Sequence, residues 1–543
     1  MKKLLPLLLT LGMLVSLGSV GFATEVDPYG PVSDQTVTIT VGREESANVM
    51  YDPGENSEDN YIIRYLEENL NVKYEYAFSV DASAYQTKVA MAIASGDIPD
   101  VMNVTYSQLV QLVDGDALED MTEAFATYAS DTLRKCFAST NGLTEELATF
   151  DGKLMAIGNI SPGMDSIPLL WIRQEWMDIC GLAAPETWDD VVNIANTFLS
   201  ENPGGNVNTG LVVRSSYYNR DGGNYLLNGL FNYFNAYPTQ WITNAEGEVV
   251  YGSITDETKT ALAEIRGLVE AGTINPSFAV MDDQQCYELL ANDQAGMWFG
   301  SWWGGQWPAV SFMGAMNGEA TFLPHVTPLS PENGKVNVCA KSPTQTYVVV
   351  KKGASEEIKE AVVKTINYQY DLDQAQAEDV RPMGMDSMFS WHYYPINVLH
   401  CDFDAKEIQI DEVMQVVNGE MDFDDLSGDG KTWYRGYTTV LEQGFLGAYN
   451  TNQATANAWG WATGAWAVQS NQDKINHFPA ACYADTPGME RMWSALKTLE
   501  EEYFLKVMVG EASLDDWDAF VADWLSMGGE QITEEVKAYV ASR

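Results

Sequence analysis

The feature that most constrains the fold is an alternation of short β-branched runs with capped amphipathic helices. Val37-Thr-Ile-Thr-Val41 reads as a strand. Tyr85, Val89 and Ile93 recur at i, i+4 and i+8, which predicts a helix capped by Ser83 and ended by Gly96. Pro99 follows, then a strand over Val101–Val104. Thr187-Trp-Asp-Asp190 has the form of a capping box, and its helix carries Trp188, Val191, Val192, Ala195, Phe198 and Leu199 on one face. Tyr347–Val350 is a short apolar strand; after Lys351-Lys-Gly353 comes a helix with Ile358, Val362 and Ile366. Ser513 caps a helix with Leu514, Trp517, Phe520, Val521, Trp524 and Leu525, which Gly528-Gly529 stop. This alternation predicts α/β units with mostly parallel sheets, and the last 150 residues read as more helical.

Length and charge bound the rest. At about 100–200 residues per domain, 543 residues make two to four domains. An apolar fraction of 46% is that of a globular chain, and no repeat of 20–50 residues is visible. Lys plus Arg is 30 against 77 Asp plus Glu, a formal charge of −47, which argues against nucleic acid and anionic lipid as partners. There are four His and no H-x-x-x-H pair, so zincin chemistry is not expected. G-x-S-x-G, G-x-G-x-x-G and Walker A patterns are absent, so neither a nucleophile elbow nor a cofactor is indicated.

The first residues read as an address. Lys2 and Lys3 precede an apolar run from Leu4 to Leu17, and Gly21 and Ala23 stand at −3 and −1 of a cleavage site before Thr24. Residues 1–23 are therefore read as a signal peptide and 24–36 as a polar linker. The chain is expected outside the cytoplasm. The six Cys, at 136, 180, 286, 339, 401 and 482, are scattered, first occur well past the cut site, and are expected as buried small side chains.

Four stretches carry a resemblance. Tyr85–Val101 ends in Ser95-Gly-Asp-Ile-Pro-Asp-Val, and Asp151-Gly-Lys-Leu-Met-Ala-Ile-Gly follows. Leu170-Trp-Ile-Arg-Gln-Glu-Trp-Met leads to Cys180-Gly-Leu-Ala-Ala-Pro-Glu-Thr-Trp-Asp-Asp, and Phe504–Asp518 leads to Gly528-Gly-Glu-Gln-Ile-Thr-Glu-Glu-Val. In this order they resemble the family 1 extracellular solute-binding proteins of ABC importers, in the larger oligosaccharide-binding lipoprotein-like branch. The resemblance implies an α/β, two-lobed periplasmic-binding-protein-like (Venus flytrap) fold with discontinuous lobes and a hinge. Lobe 1 would take 37–167 and 322–386, and lobe 2 would take 168–321 and 387–543. It implies capture of an oligosaccharide for import, ABC permease transmembrane subunits as partners, and a monomer. A secreted glycan-active hydrolase or lyase, and a ligand-sensing subunit for a membrane kinase, are the alternatives. Two departures from the branch stand out. No lipobox Cys is present. The stretch matching a calcium loop, Asn202-Pro-Gly-Gly-Asn-Val-Asn-Thr-Gly, lacks the carboxylates a hard cation takes, so no calcium is expected there. Asp425-Leu-Ser-Gly-Asp-Gly half-matches an EF-hand loop without its closing Glu.

The candidate binding residues are aromatic and polar. Ala295-Gly-Met-Trp-Phe-Gly-Ser-Trp302-Trp303 resembles the family segment whose last Trp stacks on a sugar ring, and Trp302 stands at that position. A flat ring covers the C–H face of a pyranose and leaves the rim hydroxyls for hydrogen bonds. Trp303 is the next candidate; Trp298 and Trp307 lie nearby in a Gly-rich segment that reads as loop. Asp165, six residues before Trp171, stands where sugar-binding relatives often carry a carboxylate, at the first crossing between lobes. Asn103, Thr105 and Tyr106 follow the Pro99-Asp100-Val101 strand start, and Arg43 and Glu44 end the first strand; both sets would lie at the strand edge where open α/β sheets hold ligands. Trp391 and Tyr394 come from the aromatic run Met388–Tyr394. Trp459-Gly-Trp461…Trp466 fits neither helix face and reads as core or rim.

Overall fold

A computed structural model describes residues 26–46, 49, 51, 53–375 and 392–542. Two sheets organise the chain. The first runs Val72–Asp81, Val37–Glu45, Val101–Val104, Tyr347–Val350, Ile157–Gly158 from edge to edge. Its first three strands are parallel. Helices Tyr61–Leu70 and Ala82–Ser95 make the returns that parallel neighbours require. Gly96 ends the second helix in the left-handed region, as read. The N-cap is Asp81 rather than Ser83: the strand runs on to Asp81, whose carboxylate accepts from the Ser83 amide and hydroxyl.

The expectation of mostly parallel sheets fails beyond those strands. Tyr347–Val350 and Ile157–Gly158 enter the first sheet antiparallel. The second sheet, Phe322–His325, Leu169–Arg173, Met297–Gly300, Asn224–Leu226, is antiparallel at every pairing. The reason is connectivity. A strand reached by a helix directly after its neighbour returns parallel; these strands are reached after long excursions, which leave direction free.

Period-2 alternation splits the second sheet between two cores. Leu170, Ile172, Met297 and Phe299 pack with the helix Trp188–Glu201. Leu169, Trp171, Trp298 and Phe322 pack with the helices Ala405–Asn418, Gly430–Thr451 and Gln453–Gln469. The Thr187–Asp190 capping box forms, and Trp188, Val191, Ala195 and Phe198 are buried behind it. Residues 26–36, expected as a linker, lie along the helix Glu356–Ala375. There Lys364 donates to the Gly30 carbonyl at 2.9 Å and the Tyr368 hydroxyl to the Tyr29 carbonyl at 2.8 Å. Five of the six cysteines are buried and all six are free thiols. No helix among the described residues is long and apolar enough to cross a membrane.

The C-terminal third is helical, as read, with one correction. Ser513 caps a short 3-10 turn before the helix Trp517–Trp524, and Gly528 at φ 124° kinks the chain instead of stopping it, so Glu530–Ala541 continues as helix. The 22-residue helix Pro487–Met508 belongs to two cores: Leu496 packs in the core of the first sheet, Phe504 and Val507 in that of the second. Between them sits Glu500, 3% exposed, accepting from Ser253 at 2.5 Å and Tyr251 at 3.1 Å. Burial pushes its carboxyl up to about 7, against the lowering effect of both hydroxyls.

That shift has a definite sign in stability. Below its ordinary value of 4.5 the carboxyl is protonated folded and unfolded; between 4.5 and about 7 only the unfolded chain releases the proton. Stability contributed at this site therefore falls as pH rises through that window. Glu500→Gln, which keeps an acceptor on Ser253, should gain on the parent protein by on the order of 3 kcal/mol between pH 4 and pH 8. Denaturant unfolding of both proteins across that range checks it; a pH-independent difference would overturn it.

Candidate functional site

Three segments run side by side, the first of them leading from the first sheet to the second. The first leaves Ile157–Gly158 for Leu169–Arg173, the second joins Val336–Cys339 to Tyr347–Val350, and the third runs through Leu399–Cys401. Hydrogen bonds hold them together. The Asn159 side chain accepts from the Gln345 and Thr346 amides at 2.9 and 2.8 Å, and the Ile160 amide donates to the Leu399 carbonyl at 3.2 Å. Asp165 sits on the first crossing, in the 3-10 turn Gly163–Ser166. One carboxylate oxygen accepts from Lys341 Nζ of the second crossing and the other from Trp302 Nε1, each at 2.8 Å. Lys341 is 3% exposed and Asp165 20%. A buried ammonium thus meets a carboxylate that still reaches solvent.

Trp302 opens the 3-10 turn Trp302–Gly305, directly after the strand Met297–Gly300. Trp298 lies inside that strand, not in a loop as expected, and stacks on Trp171 at 6.0 Å. Ser301 fastens the turn: its hydroxyl donates to the Asp165 carbonyl at 2.8 Å and accepts from the Gly223 amide at 2.9 Å. The helix Gln453–Gln469 then presses its backbone onto the turn. A Cβ at Gly464 would strike the Trp302 carbonyl, and one at Gly460 the Gly305 carbonyl. This explains the unreadable Trp459-Gly-Trp461…Trp466 spacing. The buried stripe is made of small residues (Ala456, Gly460, Gly464, Ala467), and Trp459, Trp461 and Trp466 are half-buried flanks. Trp302 is 6% exposed and packs on Trp433 at 5.6 Å; Trp303 is half-buried; Trp307 is exposed and stacks on Tyr287 at 5.1 Å.

The candidates from the first sheet gather elsewhere. Arg43 is fully buried, with its guanidinium donating to the Ser57 and His392 carbonyls, the latter at 2.6 Å. The Asn103 side chain donates to the Asn397 carbonyl at 3.2 Å, and Asn397 donates to the Glu44 carbonyl at 3.0 Å. Tyr394 is buried in the same core. These side chains sew residues 392–398 across the strand edge. Burial raises the Glu44 carboxyl, with Arg43 opposing. Thr105 caps the helix Tyr106–Asp114 in a capping box with Gln108, and the Tyr106 ring packs by Tyr347 at 5.7 Å. Trp391 lies outside the described residues.

No three or more His, Cys, Asp or Glu side chains gather as a metal-holding group among the described residues. Asn202 ends its helix in the left-handed region and its side chain accepts from the Val207 amide, closing on itself the stretch that matches a calcium loop without its carboxylates. Asp429, from the half EF-hand, pairs with Lys406 at 2.7 Å. Beside the crossings lies a cavity of about 410 Å³. The loop Tyr218–Asp221, the segment Cys482–Asp485 and the helix Pro487–Met508 wall it.

The model of the bacterial extracellular solute-binding protein family matches residues 54–375. The chain belongs to that family. Among curated relatives of this solute-binding protein is the polygalacturonan/rhamnogalacturonan-binding protein YtcQ of Bacillus subtilis, 23% identical over 482 residues that cover 87% of this chain and 86% of the relative. The fructooligosaccharide ABC transporter substrate-binding protein FusA of Streptococcus pneumoniae is 24% identical over 245 residues, 41% of this chain and 44% of its own. Among solved structures, the HMO-binding solute-binding protein of Bifidobacterium longum infantis shares the fold with a TM-score of 0.63 at 14% identity, covering 93% of this chain and 99% of that one. The alginate-binding protein AlgQ2 aligns with a TM-score of 0.60 at 11% identity, over 94% and 99%. The two-lobed α/β fold implied by the sequence motifs is that of these structures.

Reading the sequence missed Lys341 as a partner of Asp165. Its signal is faint: a lone cation in Cys339-Ala-Lys-Ser-Pro between two apolar strands.

The ion pair predicts an asymmetric mutant cycle. Asp165→Asn strands a buried ammonium whose one hydrogen-bond partner among the described residues is Asp165, and should cost about 3–5 kcal/mol. Lys341→Met should cost less, because Asp165 keeps Trp302 and solvent. The double variant should recover most of the Asp165→Asn loss. Denaturant unfolding of all four proteins reads the cycle, and additive costs would show the pair to be uncoupled.

Proposed function

We propose that this solute-binding protein captures an oligosaccharide between its lobes, outside the cytoplasm, and presents it unaltered to the permease of an ABC importer. The observation that carries the reading is the Asp165–Lys341–Trp302 junction. A solvent-reaching carboxylate and a fastened aromatic turn meet on the segments that join the lobes. The ligands for which the relatives are named, polygalacturonan and rhamnogalacturonan for YtcQ and fructooligosaccharides for FusA, are all carbohydrate.

In this reading the roles divide by exposure. Trp302, buried, holds the turn and orients Asp165. Trp303, half-buried, offers ring surface to a sugar face. Asp165 accepts from hydroxyls with the lone pairs that Lys341 and Trp302 leave unspent. Arg43, Asn103 and Tyr394 maintain the strand edge rather than touch ligand; Glu44 and Tyr106 stand at its rim. Residues 1–23 are removed on export. The chain works as a monomer, and its lobes are built on the two sheets, with the crossings as hinge. Ligand that touches both lobes only in the closed form shifts the population toward closure, and the permease recognises that form.

The test is a thermal-shift panel of neutral and acidic oligosaccharides, peptides and metals on residues 24–543. A ligand at about 100 times its dissociation constant adds about 2.7 kcal/mol to the native state. One sugar family should raise the melting temperature by a few degrees and be recovered intact, and Trp303→Ala should weaken its binding by roughly 1–3 kcal/mol. Silence with every sugar overturns the oligosaccharide reading, and a cleaved sugar overturns capture without chemistry.

A further inference from the structure

We propose that the cavity between the loop Tyr218–Asp221 and the helix Pro487–Met508 is a subsite for an acidic sugar unit, with the sugar carboxylate on Arg220 and its hydroxyls on the neighbouring carboxylates. The proposal rests on the oligosaccharide reading and adds the class of sugar.

Charge scarcity makes Arg220 informative. The chain has 30 Lys and Arg against 77 acids, and Arg220 is one of two cations that line this cavity. The Asp221 carboxylate lies 3.6 Å from Arg220 Nε, beyond hydrogen-bond range, and the Asp485 carboxylate lines the same cavity and feels its charge. The Arg220 side chain is 44% exposed and it lines the cavity. Its terminal nitrogens make no hydrogen bond to any described group. A planar guanidinium in that condition fits a planar carboxylate through two parallel hydrogen bonds.

The loop that carries it is held in place. Asn219 donates to the Gly222 carbonyl at 2.9 Å, the Asp221 amide to Asn219 at 3.1 Å, and Asn228 to the Asn219 carbonyl at 2.7 Å. Gly222, at φ 93°, lies so close to the Asp165 carbonyl and the Ser301 hydroxyl that no Cβ fits. One end of the loop therefore rests on the hinge junction while the other presents Arg220. Across the cavity, the Tyr483 hydroxyl donates to the Ala340 carbonyl at 3.1 Å, the residue before Lys341. Both walls are fastened to the crossings, so a ligand spanning them senses hinge geometry.

The other groups point to a sugar acid rather than to a neutral sugar or a bare anion. Lys497 stands over the Trp493 ring at 5.7 Å and supplies a second cation. Asp221, Asp485 and Glu501 supply acceptors for hydroxyls. Burial raises the Asp485 carboxyl, and Arg220 and Lys497 both oppose that rise, so the two cations flank one space from different elements. A neutral sugar would offer the Arg220 guanidinium no carboxylate for two parallel hydrogen bonds. A phosphate would set up to two negative charges against three carboxylates, with one or two hydroxyls at most to offer them. A unit bearing both a carboxylate and hydroxyls satisfies both sets, and a cavity of about 410 Å³ is of small-ligand size.

The experiment is calorimetric titration of residues 24–543 with a tetramer of galacturonic acid and with its carboxyl-reduced, neutral counterpart. The acid tetramer should bind, and Arg220→Gln, a change at a surface-reaching side chain, should weaken it roughly 10–100-fold. The neutral tetramer should bind the parent protein more weakly by a similar factor and be indifferent to Arg220→Gln. Affinity for the acid tetramer alone should fall with added salt. An Arg220→Gln effect under about threefold, equal affinity for the two tetramers, or binding of neutral sugars only would overturn the subsite and leave the oligosaccharide reading standing. Silence with every sugar, neutral or acidic, would remove that reading and the subsite together.

Discussion

The Asp165 carboxylate is the interaction on which the site depends. It stands on the first crossing, takes a proton donor from the second, and takes another from the turn that ends the central strand of the second sheet. Each donor would be costly alone. A buried ammonium needs an opposing charge, and a buried indole N–H needs an acceptor. One carboxylate satisfies both and still has lone pairs facing solvent. The arrangement brings together, without metal or covalent link, two chain segments separated by 176 residues. It also couples stability to recognition, since a hydroxyl drawn to Asp165 would be accepted by a group already oriented from two sides.

Packing around that carboxylate follows from small residues more than from large ones. The helix Gln453–Gln469 reaches the Trp302–Gly305 turn only because Gly460 and Gly464 present bare backbone to it. Behind the turn, Trp302 meets Trp433, and Lys406 stands over Trp433 at 5.4 Å while pairing with Asp429. The half EF-hand stretch thus ends in a lysine–aspartate pair. On the far side, the helix Pro487–Met508 ties the two cores by contributing Leu496 to one and Phe504 to the other.

Local signals in the sequence carried over well where local physics decides. The Thr187–Asp190 box, the strand Val101–Val104 and the Gly96 stop all depend on residues within a few positions of each other, and all stand where they were read. Strand direction in the second sheet was illegible, because Leu169–Arg173 pairs with strands more than a hundred residues away that no helix links to it directly. The grouping of Asp165 with Trp302 could be anticipated only through family resemblance; periodicity says nothing about residues 137 apart. Lys341 escaped both routes. A single lysine has no pattern, and its meaning comes entirely from where the second crossing runs. Arg43 and Asn103 look like ligand groups by position at a strand edge. The structure gives that edge to residues 392–398, whose backbone carbonyls take up the Arg43 and Asn103 donors.

Aromatic abundance, the most conspicuous feature of the composition, is mostly an account of the core. Of the 16 tryptophans, Trp171, Trp176, Trp298, Trp433 and Trp524 are fully buried, and Trp302 nearly so. A count of rings therefore cannot locate a sugar. What distinguishes a binding residue is valence left over after the fold is satisfied: an indole with uncovered surface, a carboxylate with free lone pairs, a guanidinium with idle donors. By that criterion Arg43 is spent and Arg220 is not, though both are arginines beside aromatic rings in an acidic protein. The net charge of −47 gives the same reading from the other direction. In a chain so poor in cations, selection of a negatively charged ligand cannot come from the overall field, which repels it. It has to come from a few cations held at short range, where a fork of charge-assisted hydrogen bonds outweighs a screened long-range repulsion.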